Sequence, residues 1–402
     1  MSQNTQKNWF ILGNNPELSA AEISAVLNLD KFEKKDFQPP LLVVEKKFDA
    51  KELIKKLGGT IKITEEIGEN KNQQELVSLI INDLKKQNGK IHFGLSDYSF
   101  KSSENLYRLK KIGLAIKKEL KQLGLSVRFA FNNEQILSSV SVDKNDLIKK
   151  GGEYIYIWKP SGFSVAKTVA VQPFESFGSR DFGRPGRDSL SGMLPPKLAL
   201  IMLNLAKSTP SDTLLDPFCG SGTIINEAIA LGIKNIIGTD NSERAIKDTQ
   251  QNVEWLKSQS IIKDQLSTFD SFVSPVENLS NHLKKNSIDK IITEPYLGKP
   301  LKGNEKYETL VHQANDLKIL YLQAFTEFKK ILKPGGTVVF IIPCFKQGNN
   351  WIRIGLENEL LKIGFKSNPL LKLNDKEYGY FLYARPDQKV GREIWKFVNL
   401  DK

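Results

Sequence analysis

Short apolar runs alternate with longer segments in which apolar residues recur every three or four positions through the second half of the chain. The runs predict strands and the periodic segments predict helices. In order, these are strand 213–217, helix 223–231, strand 235–239, helix 242–257, strand 288–293, helix 314–332, strand 337–343, helix 351–363 and strand 380–384, with a less regular stretch at 264–286. Such alternation is typical of a mostly parallel sheet covered by helices on both faces.

The first part of the chain shows the same kind of pattern in shorter pieces. Its predicted elements are strand 9–12, helix 17–27, strand 41–45, helix 50–57, helix 75–86, strand 90–95, helix 106–123, strand 126–131 and a strand ending near 158. We therefore expect a small ferredoxin-like α/β domain at 1–65, a second α/β domain at 66–160, a linker at 161–192 and a doubly wound, Rossmann-like domain at 193–402.

The strongest chemical signal lies between the strand at 213–217 and the helix at 223–231. The chain there reads Leu214-Leu215-Asp216-Pro217-Phe218-Cys219-Gly220-Ser221-Gly222-Thr223. Gly220 and Gly222 let the backbone approach a ligand because no Cβ stands in the way. One strand later, Asp240 is placed to accept hydrogen bonds from two ribose hydroxyls. The pattern predicts a nucleoside-bearing ligand at the carboxyl edge of the sheet.

Two such ligands compete for this turn, a dinucleotide and S-adenosylmethionine. The dinucleotide fingerprint needs a third glycine, but Ile225 stands at that position. Asp216 precedes the glycines, where its charge would repel a pyrophosphate and attract a ligand with an ammonium and a sulfonium group. The sequence therefore favours S-adenosylmethionine, and the residues expected to bind it are Asp216, Phe218, Cys219, Gly220, Ser221, Gly222, Thr223, Asp240 and Asn241. Asp270 is a candidate for holding the adenine amino group.

The segment Glu294-Pro295-Tyr296 follows the predicted strand 288–293, at the sheet edge where a second substrate should lie. An exocyclic amino group on a base is a poor nucleophile because its lone pair is delocalised into the ring. A carboxylate and a carbonyl that accept its two N–H groups favour the nucleophilic form, and a stacked ring fixes the base plane. Glu294, the Pro295 carbonyl and Tyr296 are the candidates for these three roles. A structural strand-to-loop turn is the alternative.

Charge and composition indicate which kinds of partner and which location the protein should have. The net charge is +12, and residues 101–190 hold 16 basic against 9 acidic side chains, whereas residues 1–100 are balanced. The stretch 173–196 is rich in Arg, Gly and Phe, and this favours a polyanion partner over simple lysine-rich solubilisation. Two cysteines predict a reducing, cytoplasmic location without disulfides. Three scattered histidines indicate no metal, and no apolar run suits a membrane span.

Asp-Pro-Phe-Cys-Gly-Ser-Gly-Thr resembles motif I of class I methyltransferases that modify exocyclic amines of nucleic acid bases. Glu294-Pro295-Tyr296 looks like a variant of the Asp-Pro-Pro-Tyr-Gly motif of that class, with Glu for Asp, Tyr for the second Pro, and Leu297 where the aromatic residue normally falls. Residues 66–160 resemble a THUMP domain, which implies RNA binding. Together these features resemble the tRNA guanosine-10 N2-methyltransferase family.

The resemblance implies methylation of a guanine 2-amino group in tRNA, with S-adenosylmethionine as donor. We expect a monomer, and we leave open whether the protein needs a small activating protein partner, as some relatives are thought to require. The residues expected to contact RNA are Lys110, Lys117, Arg128, Arg180, Arg184, Arg187 and Lys299. Two alternatives stay open. One is a DNA adenine or cytosine amino-methyltransferase, and the other is an RNA-binding protein that keeps the fold without turnover.

Overall fold

The computed structural model describes residues 6–99, 104–187, 193–259 and 267–400. The strands in this part of the chain are β1 (Lys7–Leu12), β2 (Phe37–Gln38), β3 (Leu41–Glu45), β4 (Thr60–Asn70), β5 (Ile91–Asp97), β6 (Val127–Ala130), β7 (Gly151–Lys159), β8 (Gly162–Val171), β9 (Thr213–Asp216), β10 (Asn235–Asp240), β11 (Thr268–Val273), β12 (Ile288–Thr293), β13 (Leu332–Gln347), β14 (Asn350–Arg353), β15 (Phe365–Ser367), β16 (Leu371–Leu373), β17 (Lys376–Tyr378), β18 (Tyr380–Tyr383) and β19 (Val390–Asn399).

The helices are α1 (Pro16–Leu27), α2 (Ala50–Lys55), α3 (Gln73–Leu84), α4 (Asn105–Gln122), α5 (Ser139–Lys144), α6 (Leu147–Lys150), α7 (Phe174–Phe182), α8 (Pro196–Leu205), α9 (Thr223–Leu231), α10 (Glu243–Ser258), α11 (Tyr307–Ile331) and α12 (Glu357–Ile363). A 3₁₀ helix spans Val276–Asn281. Within the described residues, no helix is both long enough and apolar enough to cross a bilayer.

The chain divides into two compact units whose boundaries differ from the predicted ones. The first unit contains residues 1–14, 35–56 and 60–174, and the second contains 15–34, 57–59 and 175–402. The predicted linker at 161–192 is wrong for most of its length, because it contains β8 and α7. Its last five residues, 188–192, lie outside the described residues. The predicted break near residue 65 falls inside β4.

In the first unit, eight strands of the described chain form one sheet in the order β2-β3-β1-β4-β8-β7-β5-β6. The antiparallel pairing of β4 with β8 joins a strand that crosses the predicted domain boundary to part of the predicted linker. Lys62 on β4 is buried with Glu153 on β7, and its Nζ donates to Glu153 Oε1 at 2.5 Å. The Thr168 hydroxyl donates to the other carboxylate oxygen at 2.7 Å. This buried charge is therefore paired and hydrogen-bonded, as burial requires.

The sheet of the second unit follows the order β11-β10-β9-β12-β13-β19-β15, and β14 and β18 pair with β13 and β19. Strands β9 to β13 are parallel to one another, whereas β19 runs antiparallel to β13. The core on one face includes Tyr321, Phe325 and Phe328 of α11, which pack with Phe340 of β13. The predicted Rossmann-like α/β domain with a mostly parallel sheet is confirmed.

Three local predictions in this unit are wrong. The predicted helix 351–363 begins instead as β14, and only 357–363 is helical. The irregular stretch at 264–286 contains β11, which continues the parallel sheet. The C-terminal strand β19 was missed, although it pairs with β13 over nine residues. Arg392 and Glu393 are consecutive charged residues on this strand, and each is buried in an ion pair with another residue. Their polarity therefore does not indicate exposure.

Candidate functional site

The turn between β9 and α9 has the tight backbone that its glycines predict. Gly220 and Gly222 have φ values of +53° and +80°, in the left-handed region that glycine adopts without strain. A Cβ on Gly222 would also lie 2.8 Å from Thr249 Cγ2. The Cys219 N–H donates to the Thr239 carbonyl at 2.9 Å, and this bond ties the turn to β10. The turn therefore holds its backbone at the carboxyl edge of the sheet.

Two carboxylates lie beside this turn. Asp240, at the end of β10, accepts the Gly220 N–H at 3.1 Å and the Ser242 N–H at 3.0 Å. Asp216 is buried beneath the turn and accepts the Thr293 hydroxyl at 2.6 Å. Burial raises the pKa of Asp216 to about 7, although hydrogen bonds from Thr293 and Phe218 oppose the rise. Burial also raises the pKa of Asp240. A nearby positive charge favours the ionised form of a buried acid, so these two carboxyl groups favour a cationic ligand.

The segment after β12 presents the candidate acceptor groups. Glu294 Oε1 accepts the Nε–H of Arg392 at 2.5 Å. The Tyr296 carbonyl accepts the hydroxyl of the buried Tyr321 at 2.7 Å, which fixes the backbone of this segment. The Tyr296 side chain itself is 53% exposed. A fixed backbone with an exposed ring is suited to stacking on a planar ligand.

The two sets of residues open into one cleft of about 1210 Å³. The predicted site residues that line it are Phe218, Gly220, Ser221, Asp240, Asn241, Glu294, Pro295, Tyr296 and Lys299. Asp216, Cys219 and Thr223 are buried and shape the turn from beneath, together with Gly222. The roles of these residues remain predictions. Within the described chain, no group of three or more side chains is arranged to hold a metal ion.

Two arginines expected to contact RNA are instead buried structural residues. Arg180 donates from Nε and Nη2 to the two carboxylate oxygens of Glu227, at 2.6 and 3.1 Å. Arg184 donates from Nη1 to the Thr223 hydroxyl at 2.6 Å and so braces the start of α9. Both guanidinium groups are buried and bonded within the protein, so the prediction that Arg180 and Arg184 contact an external phosphate is corrected.

The other basic residues predicted to contact RNA are more accessible. Arg187 is exposed, and its guanidinium lies 5.6 Å from the centre of the exposed Phe182 ring. In the first unit, Lys110 and Arg128 are exposed and Lys117 is half-buried. These positions are compatible with phosphate contact, which stays a prediction for each.

Sequence reasoning missed several residues of the cleft. Arg392 and Tyr383, which come from the C-terminal strands, both line it. Asp270, expected near an adenine, is exposed and is not among the described cleft-lining residues, whereas Glu277 is. Glu277 lies in the 3₁₀ helix that follows β11. The signal that could have found it is its place just beyond the carboxyl end of that strand, which the sequence pattern did not reveal.

Comparison with known families agrees with this geometry. The model described as RMKL-like, methyltransferase domain (UPF0020) matches residues 184–353, which include both the turn and Glu294. The model described as DNA methylase (N6_N4_Mtase) matches residues 45–251, about half of the chain. Because the second match spans half of the chain, the chain belongs to the methyltransferase family that this model describes. Only the second description names a nucleic acid.

Individual methyltransferases are similar over parts of the chain. Over 156 residues it is 31% identical to the tRNA (guanine(10)-N2)-dimethyltransferase of Methanothermobacter thermautotrophicus, which covers 38% of this chain and 42% of that protein. Over 107 residues it is 34% identical to the enzyme of the same name from Methanocaldococcus jannaschii, covering 27% and 29%. The aligned segments thus span less than half the length of either relative.

A solved structure is similar over the whole chain. TrmN from Thermus thermophilus has a TM-score of 0.52 at 14% identity, and the alignment covers 98% of this chain and 100% of that one. At this identity, the similarity shows a shared methyltransferase fold.

Proposed function

We propose that the protein transfers methyl groups from S-adenosylmethionine to the exocyclic 2-amino group of a guanosine in tRNA. The observation that carries the proposal is the single cleft in which Gly220, Ser221 and Asp240 face the same space as Glu294 and Tyr296. A donor site and an acceptor site for an exocyclic amine are thereby brought together. The names of the partially aligned relatives support guanosine at position 10 of tRNA.

The residues of the turn fit S-adenosylmethionine. A Cβ built on Gly220 meets nothing within 4 Å, so the backbone there borders open space. Asp240 lines the cleft and has a carboxylate for the ribose hydroxyls. Asp216 adds negative charge beneath the turn, which favours the ammonium and sulfonium groups of the ligand over a pyrophosphate. When bound, S-adenosylmethionine supplies an electrophilic methyl group.

The acceptor side orients the base. Glu294 accepts a hydrogen bond from one N–H of the guanine amino group, and the Pro295 carbonyl accepts the other. Acceptors at both N–H groups favour a nitrogen whose lone pair is available to the methyl group. Tyr296 stacks on the base after it has left its helix. Holding the reacting atoms in line supplies much of the rate.

The first unit, in this proposal, is a THUMP-like RNA-binding domain. Lys110 and Lys117 of α4 and the exposed Arg128 contact phosphates, which position RNA without reading its sequence. Arg187 and Lys299 are the exposed candidates in the second unit. The protein acts as a monomer in the cytoplasm, and a small activating partner stays part of the proposal.

The test is incorporation of labelled methyl from S-adenosylmethionine into unmodified tRNA, followed by digestion to nucleosides. Wild type should yield N2-methylguanosine or its dimethyl form, whereas Glu294→Ala should yield neither and still bind S-adenosylmethionine. The matched control is Glu308→Ala, at an exposed glutamate of α11, which should stay active. Cofactor binding without transfer to any tRNA, even when cell extract is added to supply a partner, would contradict the proposal.

A second candidate function follows from the match to the DNA methylase model. The same acceptor chemistry suits the amino groups of adenine and cytosine in DNA. An arm of the assay with unmethylated duplex DNA separates the two substrates. Label in N6-methyladenine or N4-methylcytosine, and none in tRNA, would favour this second candidate.

A further inference from the structure

Arg392 and Glu294 form a shielded ion pair in the wall of the cleft. The two side chains are only 10% and 12% exposed, and Nε of the arginine lies 2.5 Å from Oε1 of the glutamate. Both residues line the cleft. Among the described residues, no hydrogen bond occupies Oε2 of Glu294. The pair therefore uses one carboxylate oxygen and leaves the other available.

The strand that carries Arg392 is held on both sides. Arg392 on β19 lies opposite Pro343 of β13 and opposite Tyr383 of β18. Glu294 follows β12, which pairs with β13. Arg392 thus lies in the sheet and Glu294 directly follows one of its strands, so strand pairing fixes the backbone from which the arginine side chain extends.

We propose that Arg392 is a positioning residue for methyl transfer, fixing the Glu294 carboxylate through Oε1 so that Oε2 meets the amino group of the base. The inference rests on the proposed function and names a residue that acts through Glu294. A glutamate side chain has one more rotatable bond than aspartate, so an unrestrained Glu294 would sample several orientations. The contact with Arg392 selects one of them.

The same contact controls the charge of Glu294. Burial raises the pKa of the Glu294 carboxyl, and Arg392 opposes that rise. Asp216 beneath the turn and Tyr321 on α11 are two further ionisable groups that interact with this carboxyl. Asp216, when ionised, repels the Glu294 charge. Arg392 is therefore a cation that favours the ionised, hydrogen-bond-accepting form of the carboxyl.

The test is the pH profile of single-turnover methylation for wild type, Arg392→Gln and Arg392→Lys. In Arg392→Gln the acidic limb of the profile should move to higher pH, and at pH values on that limb the rate should fall on the order of 10-fold for each unit of displacement. The loss should diminish at higher pH. Arg392→Lys keeps the positive charge without the directed Nε–H, so its limb should move less.

The matched control is Arg353→Gln. It breaks a second arginine–glutamate pair, between Arg353 on β14 and Glu393, which follows Arg392 on β19, and neither of these residues lines the cleft. A merely structural role for Arg392 would make the two glutamine variants alike in melting temperature and leave both pH profiles where wild type has them. That outcome would overturn the inference.

Two further outcomes are informative. Higher activity of Arg392→Gln at all pH values would mean that the arginine competes with the base for Glu294, and this also overturns the inference. Glu294→Asp should lose activity through the broken contact, and adding Arg392→Gln should cost little more, because the two act as one unit. If wild type methylates no nucleic acid, the proposed function fails; if wild type is active and Arg392→Gln keeps its profile, only this inference fails.

Discussion

Tyr296 combines a fixed backbone with an exposed ring, which allows its role to be tested without disturbing the fold. Tyr296→Ala should weaken methylation of tRNA about 5- to 150-fold, since stacking on one base contributes about 1–3 kcal/mol. Tyr296→Phe keeps the ring and should stay close to wild type. Steady-state kinetics with tRNA as the varied substrate measures the effect, and S-adenosylmethionine affinity serves as the control. An alanine variant with unchanged kinetics would remove Tyr296 from the site.

Asp216 gives a pH dependence whose sign is fixed by its burial. The pKa of Asp216 is about 7 in the folded protein, above the ordinary value of 3.8. Between these two pH values, the folded state keeps a proton that the unfolded state has lost. The free energy of unfolding should therefore decrease as pH rises through this interval and level off above about pH 7. Asp216→Asn removes this dependence.

Denaturant unfolding of wild type and Asp216→Asn should consequently agree at about pH 4 and diverge by about pH 8, with the variant more stable there by up to about 4 kcal/mol. The same variant should bind S-adenosylmethionine more weakly at the higher pH, because it lacks the negative charge beneath the turn. Equal pH dependence in the two proteins would mean that Asp216 is ionised throughout. Isothermal titration with S-adenosylmethionine checks the binding half of the prediction.

At the scale of helices, Arg180 links α7 to α9 through its two bonds to Glu227. The exposed fractions of the two side chains are 7% and 1%. Arg180→Ala should lower the free energy of unfolding by about 3–5 kcal/mol, because it leaves a buried carboxylate unpaired. Arg187→Ala, on the same basic segment but exposed, should change it by less than about 0.5 kcal/mol.

For RNA binding, the two substitutions should have the opposite order of effects from their order for stability. Arg187→Ala should weaken tRNA binding and reduce its salt dependence, whereas Arg180→Ala should affect binding only as far as it unfolds the protein. Filter binding at several salt concentrations, below the melting temperature of each variant, measures both. A stable Arg180→Ala protein with weak tRNA binding would restore the original RNA-binding prediction.

The elements whose bounds were predicted best are those flanked by residues that commonly end helices and strands. The helix 223–231 and the strand 288–293 have the predicted bounds, and β9 differs from its prediction by one residue. Each is an apolar segment that ends at a glycine, a charged residue or a turn. These elements carry the cofactor turn and the acceptor segment, so the sequence pattern located the main parts of the candidate site.

The missed strands share a different property. β4, β8 and β19 place polar or charged side chains in buried positions, for example Lys62, Thr168 and Arg392. Their partners, such as Glu153 for Lys62 and Glu294 for Arg392, are 91 and 98 residues away in sequence. A periodic pattern depends only on the polarity of each residue. A polar residue can nevertheless be buried when it pairs with an ion that is distant in sequence. This is why the arginine side of the candidate site was not predicted.

At the scale of the molecule, each of the two units is built from segments that are not consecutive in the chain. Helix α1 belongs to the second unit, although β1 and β3 on either side of it belong to the first. The carboxylate of Glu22 on α1 is buried and accepts the N–H groups of Gly58 and Gly59, both at 2.8 Å. It also accepts Nδ2 of Asn204 on α8 at 2.7 Å. These contacts join residues far apart in sequence, so no local pattern could reveal them.

This interleaving predicts that residues 175–402 are not sufficient for a stable second unit. Nearly all of α8 is buried in the full chain, and loss of α1 would expose part of its apolar surface and leave Asn204 without the Glu22 carboxylate. The fragment should melt at a lower temperature than the full chain and bind a hydrophobic dye.

A peptide of residues 15–34 tests whether α1 itself supplies the missing stability. Added in excess, it should raise the melting temperature of the fragment in proportion to the logarithm of its concentration once binding is near saturation, because it binds only the folded state. The same peptide with Glu22→Ala should raise it less, since it cannot accept the Asn204 hydrogen bond. A fragment that melts with the full chain and ignores both peptides would show that α1 contributes nothing to the stability of the second unit.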